Sequence, residues 1–181
     1  MSNAFRSDEL LLCQIPAIEL LVNLGYHYLT PDQLLQARGS QPDKVLLEAV
    51  VQQQLKHLNA AVSDPIPEAI ISSALMKLKD SPVIGLQVSN AQLYNLLILG
   101  LDLTQTQNGN TQHFYLRYID WEHQENNVFH VAANYTLAGR RSMAPITIDL
   151  MLFVNGIPFV VIECVAPQVS VQQAQANLLK C

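Results

Sequence analysis

Two apolar segments, Thr147 to Val154 and Pro158 to Cys164, joined at Asn155-Gly156, constrain this chain more than any other feature. Asn-Gly is the strongest short hairpin signal, because both central positions of the turn it favours need positive φ. The segments alternate little and are rich in Val, Ile, Leu and Phe, so they read as strongly apolar strands. Asp149 and Glu163 stand near the two ends of this hairpin. Two carboxylates at the ends of paired strands can turn their oxygens toward one hard cation. Mg²⁺ takes about six oxygens, commonly one or two protein carboxylates plus water and phosphate. Such an ion polarises a scissile phosphate and acidifies the attacking water. The spacing alone also fits two unconnected strand-end carboxylates. By strand parity Glu163 shares its face with Phe159, Val161 and Val165, so a valine occupies the place beside it.

The rest of the chain changes texture once. From about residue 8 to 100 it reads as mainly helical, and from about 112 to 181 as strands plus a final helix. Leu11, Ile15, Ile18, Leu21 and Val22 recur at helical spacing from Asp8 to Leu24, with Gly25 as the stop and Pro16 as a kink or restart. Tyr26 to Leu29 is a short extended piece. Thr30-Pro31 opens a helix to Ala37 as cap and first-turn proline. Asp43 is expected to cap a helix ending near Leu58, and further helices are expected over Pro67 to Leu78 and Ala91 to Leu99. Gln107 to Asn110 is a turn. Gln112 to Ile119 and Val128 to Leu137 alternate as strands, and Ser170 caps the last helix. The order predicts one domain over residues 1–181, of mixed α/β (α+β) class.

Half of the 181 residues are hydrophobic and the formal charge is -5. That excludes disorder and makes a stand-alone duplex binder a poor reading, because DNA affinity comes largely from Lys and Arg neutralising phosphates. Cys13, Cys164 and Cys181 are odd in number, widely spaced and without a zinc pattern, so free thiols in a reducing, cytoplasmic protein are expected. Cys164 on an apolar strand reads as a small core residue. No apolar run reaches about 18 residues, so no membrane-spanning helix is expected. His113, His123 and His130 lack metal-ligand spacing. Tyr118 and Trp121 fit either base stacking or burial, burial being the commoner use.

The run from Asp149 through Val154-Asn-Gly-Ile-Pro158 to Glu163-Cys164 resembles the nuclease motif of the type I restriction enzyme R subunit, its motor and cleavage subunit. Tyr118-Ile-Asp120-Trp-Glu, Asn126-Asn127-Val-Phe129, Pro16 to Leu21 with Leu24-Gly25-Tyr26, Asp43 to Leu47 and Pro67 to Ile70 extend the resemblance in order over nearly the whole chain. It implies a PD-(D/E)xK nuclease core, a mixed central sheet flanked by helices with an N-terminal helical region. It implies Asp149 and Glu163 as Mg²⁺ ligands, with the Cys164 carbonyl as a further one. It further implies DNA as substrate, with the modification and specificity subunits of a restriction complex as partners. ATP enters only through motor domains, and the chain has no Gly-x-x-x-x-Gly-Lys-Ser/Thr loop, so it reads as a fragment or truncated form of such a subunit.

Three departures bear on activity. Val165 stands where the family has its catalytic lysine. Ile148, not proline, precedes Asp149, with Pro145 displaced. The glutamine motif on the last helix is Gln173-x-x-x-Asn177, without tyrosine. Gln173, Asn177 and Lys180 share one helix face, so two readings of Lys180 stand: a relocated catalytic lysine, or a basic residue placed for the helix dipole. Arg140 and Arg141 fit a phosphate contact or a solvated loop. Glu19 fits an accessory site carboxylate or a solvated helix residue. Three functions follow: a Mg²⁺-dependent cleavage domain, a catalytically impaired docking domain, and a small nuclease acting alone, which the acidic charge disfavours.

Overall fold

The Asn-Gly turn sets the geometry of the sheet. The computed structural model of the protein describes residues 9–60, 65–80, 86–107, 109–137, 145–166, 169–170, 172 and 175–176. In chain order its elements are a π-helical turn Leu10–Gln14, α1 Ile15–Asn23, β1 His27–Leu29, α2 Pro31–Ala37, α3 Glu48–Leu58, α4 Glu68–Lys79, α5 Leu86–Leu99, β2 Leu101–Gln107, β3 Asn110–Leu116, a 3₁₀ turn Gln124–Asn126, β4 Phe129–Leu137, β5 Ile146–Val154 and β6 Ile157–Ile162. Among the described residues this is an α+β fold with one four-stranded mixed sheet, ordered β1-β4-β5-β6, and one two-stranded sheet, β2-β3. No helix among them is long and apolar enough to cross a membrane.

The chain divides into two compact units, and the boundary does not follow the change of texture near residue 100. One unit is Met1–Leu47 with Phe129–Cys181, and the other is Glu48–Val128. In the first unit, Asn155 (φ 51°) and Gly156 (φ 82°) take the left-handed conformation that the turn demands. The Gly156 carbonyl accepts a hydrogen bond from Leu47 N at 2.9 Å, which ties the turn to a distant segment. β5 pairs antiparallel with both β4 and β6, while β1 lies parallel to β4 with His27 opposite His130. One sheet face buries Val131, Leu150, Leu152 and Cys164 beneath Cys13, Ala17, Ile18 and Leu21. The covering residues recur every three or four positions, so one helical stripe supplies the lid. Pro16 has no N–H, and the ladder around it departs from regular α-bonding: Ile15 N bonds Leu10 O, five residues back. Gly25, at φ 99°, ends the helix as expected.

A buried arginine organises a second cluster in this unit. Arg38, 4% exposed, lies 4.5 Å above the Tyr135 ring, which itself packs edge-on against Phe153. Its guanidinium donates to the carbonyls of Lys44 (2.6 Å), Thr136 (3.1 Å) and Pro42. The Tyr135 hydroxyl donates to Val45 O at 2.8 Å. These bonds explain a correction. Asp43 does not cap a helix, and α3 begins only at Glu48. The carbonyls of residues 42, 44 and 45 are committed to Arg38 and Tyr135, and this segment is held out of helical geometry.

In the second unit, α3 buries Val51, Leu55 and Leu58, and α4 buries Ile70, Ile71, Ala74 and Leu75, each a single helical stripe. Lys79 pairs with Glu48 at 2.6 Å, and Lys56 with Glu68. Asn59 spans Leu55 O and both backbone groups of Arg117, and the buried Tyr118 hydroxyl donates to Ala74 O at 2.8 Å. β2 is a strand that the sequence reading lacked, and α5 begins earlier than expected. Asp120, Asn126 and Asn127 form a closed turn: Asp120 accepts from Glu122 N, His123 N and Asn126 Nδ2, and Asn127 bonds both backbone groups of Asp120.

Arg38→Ala leaves buried carbonyls without donors, so urea denaturation should show a loss of roughly 2–4 kcal/mol. Arg38→Lys should recover only part of it, because an ammonium has no fork to serve three carbonyls at once.

Candidate functional site

A bulge creates the site. Next to the two-residue turn, Val154 pairs with Ile157 and Phe153 with Pro158. Continued unbroken, that register would set Asp149 against Ile162. Beyond Phe153 it shifts: Leu152 pairs with Val160, Met151 with Val161 and Leu150 with Ile162. Phe159 is the extra residue, and the shifted register, continued one residue past the end of β6, sets Glu163 opposite Asp149. Directly opposed residues share a sheet face, so that register puts both carboxylates on one face, and the charge of Asp149 is felt at Glu163. Val161 shares that face, as parity predicts. Phe159 does not keep step, because the bulge absorbs it. Proline removes a ladder donor and favours bulges, so Pro158 was the sequence signal for this break.

Asp149 is held, and both carboxylates are partly dried. Asp149 Oδ2 accepts from Cys164 N at 2.7 Å, and the Asp149 carbonyl accepts from the Gln14 amide at 3.0 Å. Gln14 is 6% exposed and belongs to the π-helical turn. Burial raises the Asp149 pKa, opposed by the Cys164 hydrogen bond. Glu163 is raised by burial first, then by the charges of Asp149 and Glu9. Among described residues, no lysine or arginine contributes to the shift of either group. Val165, half-buried, follows Cys164, which is itself buried.

On the other side of β5, Ala133 pairs with Leu150 and Tyr135 with Ile148, so Asn134 stands across from Asp149. Asn134 has φ 51°, the left-handed region that favours glycine or asparagine. Its position on the strand carries no local turn signal, and sequence reasoning missed it.

The helix carboxylate felt at Glu163 is Glu9, whereas Glu19 is exposed on α1. Spacing could have shown this. Glu9, Cys13, Ala17 and Leu21 recur every four residues, and the last three form the stripe that covers the sheet. Glu19 lies off that stripe. Arg140, Arg141, Gln173, Asn177 and Lys180 lie outside the described residues. Of the expected last helix Gln172, Gln175 and Ala176 are described, and they are helical. Tyr118 is buried, but Trp121 is half exposed, its indole donating to Leu97 O at 3.0 Å. Among the described residues no set of three His, Cys, Asp or Glu side chains could hold a metal ion.

The model of the type I restriction enzyme R protein N terminus matches residues 6–180. The chain belongs to that family. It is 31% identical over 150 residues to the type I restriction enzyme HindI endonuclease subunit of Haemophilus influenzae, covering 83% of this chain and 14% of that protein. It is 27% identical over 174 residues to a Methanocaldococcus jannaschii protein assigned as the type I restriction enzyme MjaIXP endonuclease subunit, covering 91% of this chain and 16% of that one. The chain therefore spans only about one-sixth or less of these relatives' length. No solved structure matches it. In this R-protein N-terminal domain, Asp149 and Glu163 come from the two strands of one hairpin, and Asp120 to Asn127 form a turn.

Two outcomes follow from this geometry. Glu163 titrates higher folded than unfolded, so its contribution favours the fold below the ordinary carboxylate pKa and is lost as pH rises through the raised value. Glu163→Gln should therefore melt higher than the parent at neutral pH, with the gap closing in acid; an equal or lower neutral melting temperature contradicts the shift. Asn134→Val should lose about 1–2 kcal/mol through left-handed strain while Asn134→Gly loses little, measured by chemical denaturation.

Proposed function

We propose that this domain is the DNA-cleaving part of a type I restriction R subunit, with a PD-(D/E)xK core that binds Mg²⁺ between Asp149 and Glu163. The observation that supports it is the opposed pair itself. Burial raises both carboxylates, and the charge of Asp149 raises Glu163 further, an arrangement that costs stability unless a cation joins them. Among the described residues the donor set is two carboxylates, which fits Mg²⁺, whose remaining positions go to water and phosphate. The Cys164 carbonyl is a further candidate donor. Bound there, the ion would polarise the phosphodiester and acidify the attacking water. Asp149 and Glu163 would orient it, Cys164 N would fix the Asp149 oxygen that faces away, and Gln14 would hold the Asp149 backbone in place.

The modification and specificity subunits of a restriction complex would supply partners through the full-length protein. ATP would act only through motor domains elsewhere in that protein, coupling cleavage to translocation. With a formal charge of -5, the domain would rely on those parts for its grip on DNA. Arg140 and Arg141 remain the basic residues nearest in sequence for a phosphate contact. The compartment implied is the cytoplasm.

A second reading has its own observation. Val165 stands in the lysine position, and no cation among the described residues offsets the charge of either carboxylate. On that reading the domain is a catalytically impaired docking module. Loss of one transition-state donor typically costs on the order of 10²–10³ in rate. Val165→Lys in the intact subunit separates the two. Cleavage that rises by that factor indicates an impaired site. Mg²⁺-dependent cleavage unchanged by Val165→Lys and abolished by Lys180→Ala indicates a relocated lysine. No cleavage in either form, with no Mg²⁺-induced rise in melting temperature, contradicts the nuclease proposal.

A further inference from the structure

Cys13 and Cys164 are both free thiols, and they come from opposite ends of the sequence. The hydrophobic cluster brings them together: Cys13, in the π-helical turn, packs on the group that contains Cys164. Burial first, and then the neighbouring Cys13, raise the Cys164 thiol pKa. Thiols packed in one cluster can reach the bonded separation of about 2 Å by side-chain adjustment. The two thiols differ in access. Cys164 is 1% exposed, whereas Cys13 is only partly covered.

We propose that Cys13 and Cys164 form an oxidisable dithiol, in which Cys13 meets a small disulfide oxidant such as glutathione disulfide and Cys164 resolves it into an intramolecular bridge. The chemistry balances in two exchanges. The Cys13 thiolate attacks one sulfur of glutathione disulfide, which releases glutathione and leaves a mixed disulfide on Cys13. Cys164, as its thiolate, then attacks Cys13 Sγ and releases the second glutathione. Two protein thiols are oxidised to one disulfide, one glutathione disulfide is reduced to two thiols, and both protons end on glutathione. Burial disfavours the Cys164 thiolate, so the second step relies on contact rather than intrinsic reactivity. The bridge would join the first helical segment to the residue directly after Glu163, the same residue whose N–H holds Asp149.

The test is thiol mapping, and its readout does not depend on the domain being a nuclease. The Cys181→Ser chain is incubated with glutathione disulfide, its remaining thiols are alkylated, and it is digested with trypsin. The expected result is loss of both free thiols and a linked pair of peptides, Ser7–Arg38 with Ser142–Lys180. Its mass should fall short of the sum by two hydrogens, and dithiothreitol should reverse the link. In the Cys13→Ser, Cys181→Ser chain, Cys164 should gain no glutathione in the folded state. A stable glutathione adduct on Cys13 beside an alkylated Cys164 overturns the proposal, as does a chain whose two thiols both stay free.

Discussion

The register of β6 against β5 is the constraint on which the site depends. A hairpin with a two-residue turn fixes every partner down its length, and a one-residue slip exchanges the two faces of a strand. Counting outward from Asn155-Gly156 alone sets Asp149 against Ile162 and turns Glu163 to the face lined by Leu150, Leu152 and Cys164. There it would be an unpaired charge beneath the first helical segment, which folding resists strongly. The single extra residue at Phe159 reverses that outcome. Ile162 joins the packing on the apolar face, and Glu163 moves beside Asp149. The bulge thus does two things at once: it completes a hydrophobic face and it assembles a carboxylate pair.

Much of this fold was legible in the sequence, for identifiable reasons. The hairpin turn, the cap at Thr30 with its proline, and the stop at Gly25 are local devices whose geometry follows from residue type, and each is found where the chain predicts it. Helical stripes on α3 and α4 were similarly readable, because burial leaves a period. Where the reading failed, the deciding partner was far away in sequence. Asp43 looks like a helix cap until Arg38 and Tyr135 claim the carbonyls around it. Gln14 looks like a polar residue in an apolar helix until the sheet brings Asp149 within reach, 135 positions away. Local propensity describes what a segment prefers in isolation, and these segments are set by bonds that isolation does not contain.

The candidate site shows the same division. Its two carboxylates were identifiable from the motif around them, but its supporting residues were not. Glu9, Gln14 and Asn134 carry no motif, and each acts through geometry that only the sheet supplies. The first two belong to the segment where the helix departs from regular α-bonding. A regular α-ladder through Pro16 would have changed which residues of that segment face the sheet. The irregularity and the site are therefore linked: the same proline that interrupts the ladder sits next to the turn that delivers Gln14 to Asp149 and Cys13 to Cys164.

A valine at position 165 has a physical meaning of its own. An ammonium beside Glu163 would offset the charges of Asp149 and Glu9 and draw the glutamate pKa down. A valine adds apolar surface instead, which does nothing to relieve those charges. The folded chain accordingly raises Glu163 by burial and by the charges of Asp149 and Glu9, and no lysine or arginine among the described residues shifts Asp149 or Glu163. Such an arrangement persists only because strand register, the Cys164 N–H and the Gln14 amide over-determine the position of Asp149. If a divalent ion is the natural counter-charge, its binding gains from every interaction that a lysine would otherwise have taken. Metal affinity and catalytic rate then move in opposite directions when Val165 is replaced by lysine, since the new ammonium competes for the same charge that it is meant to assist.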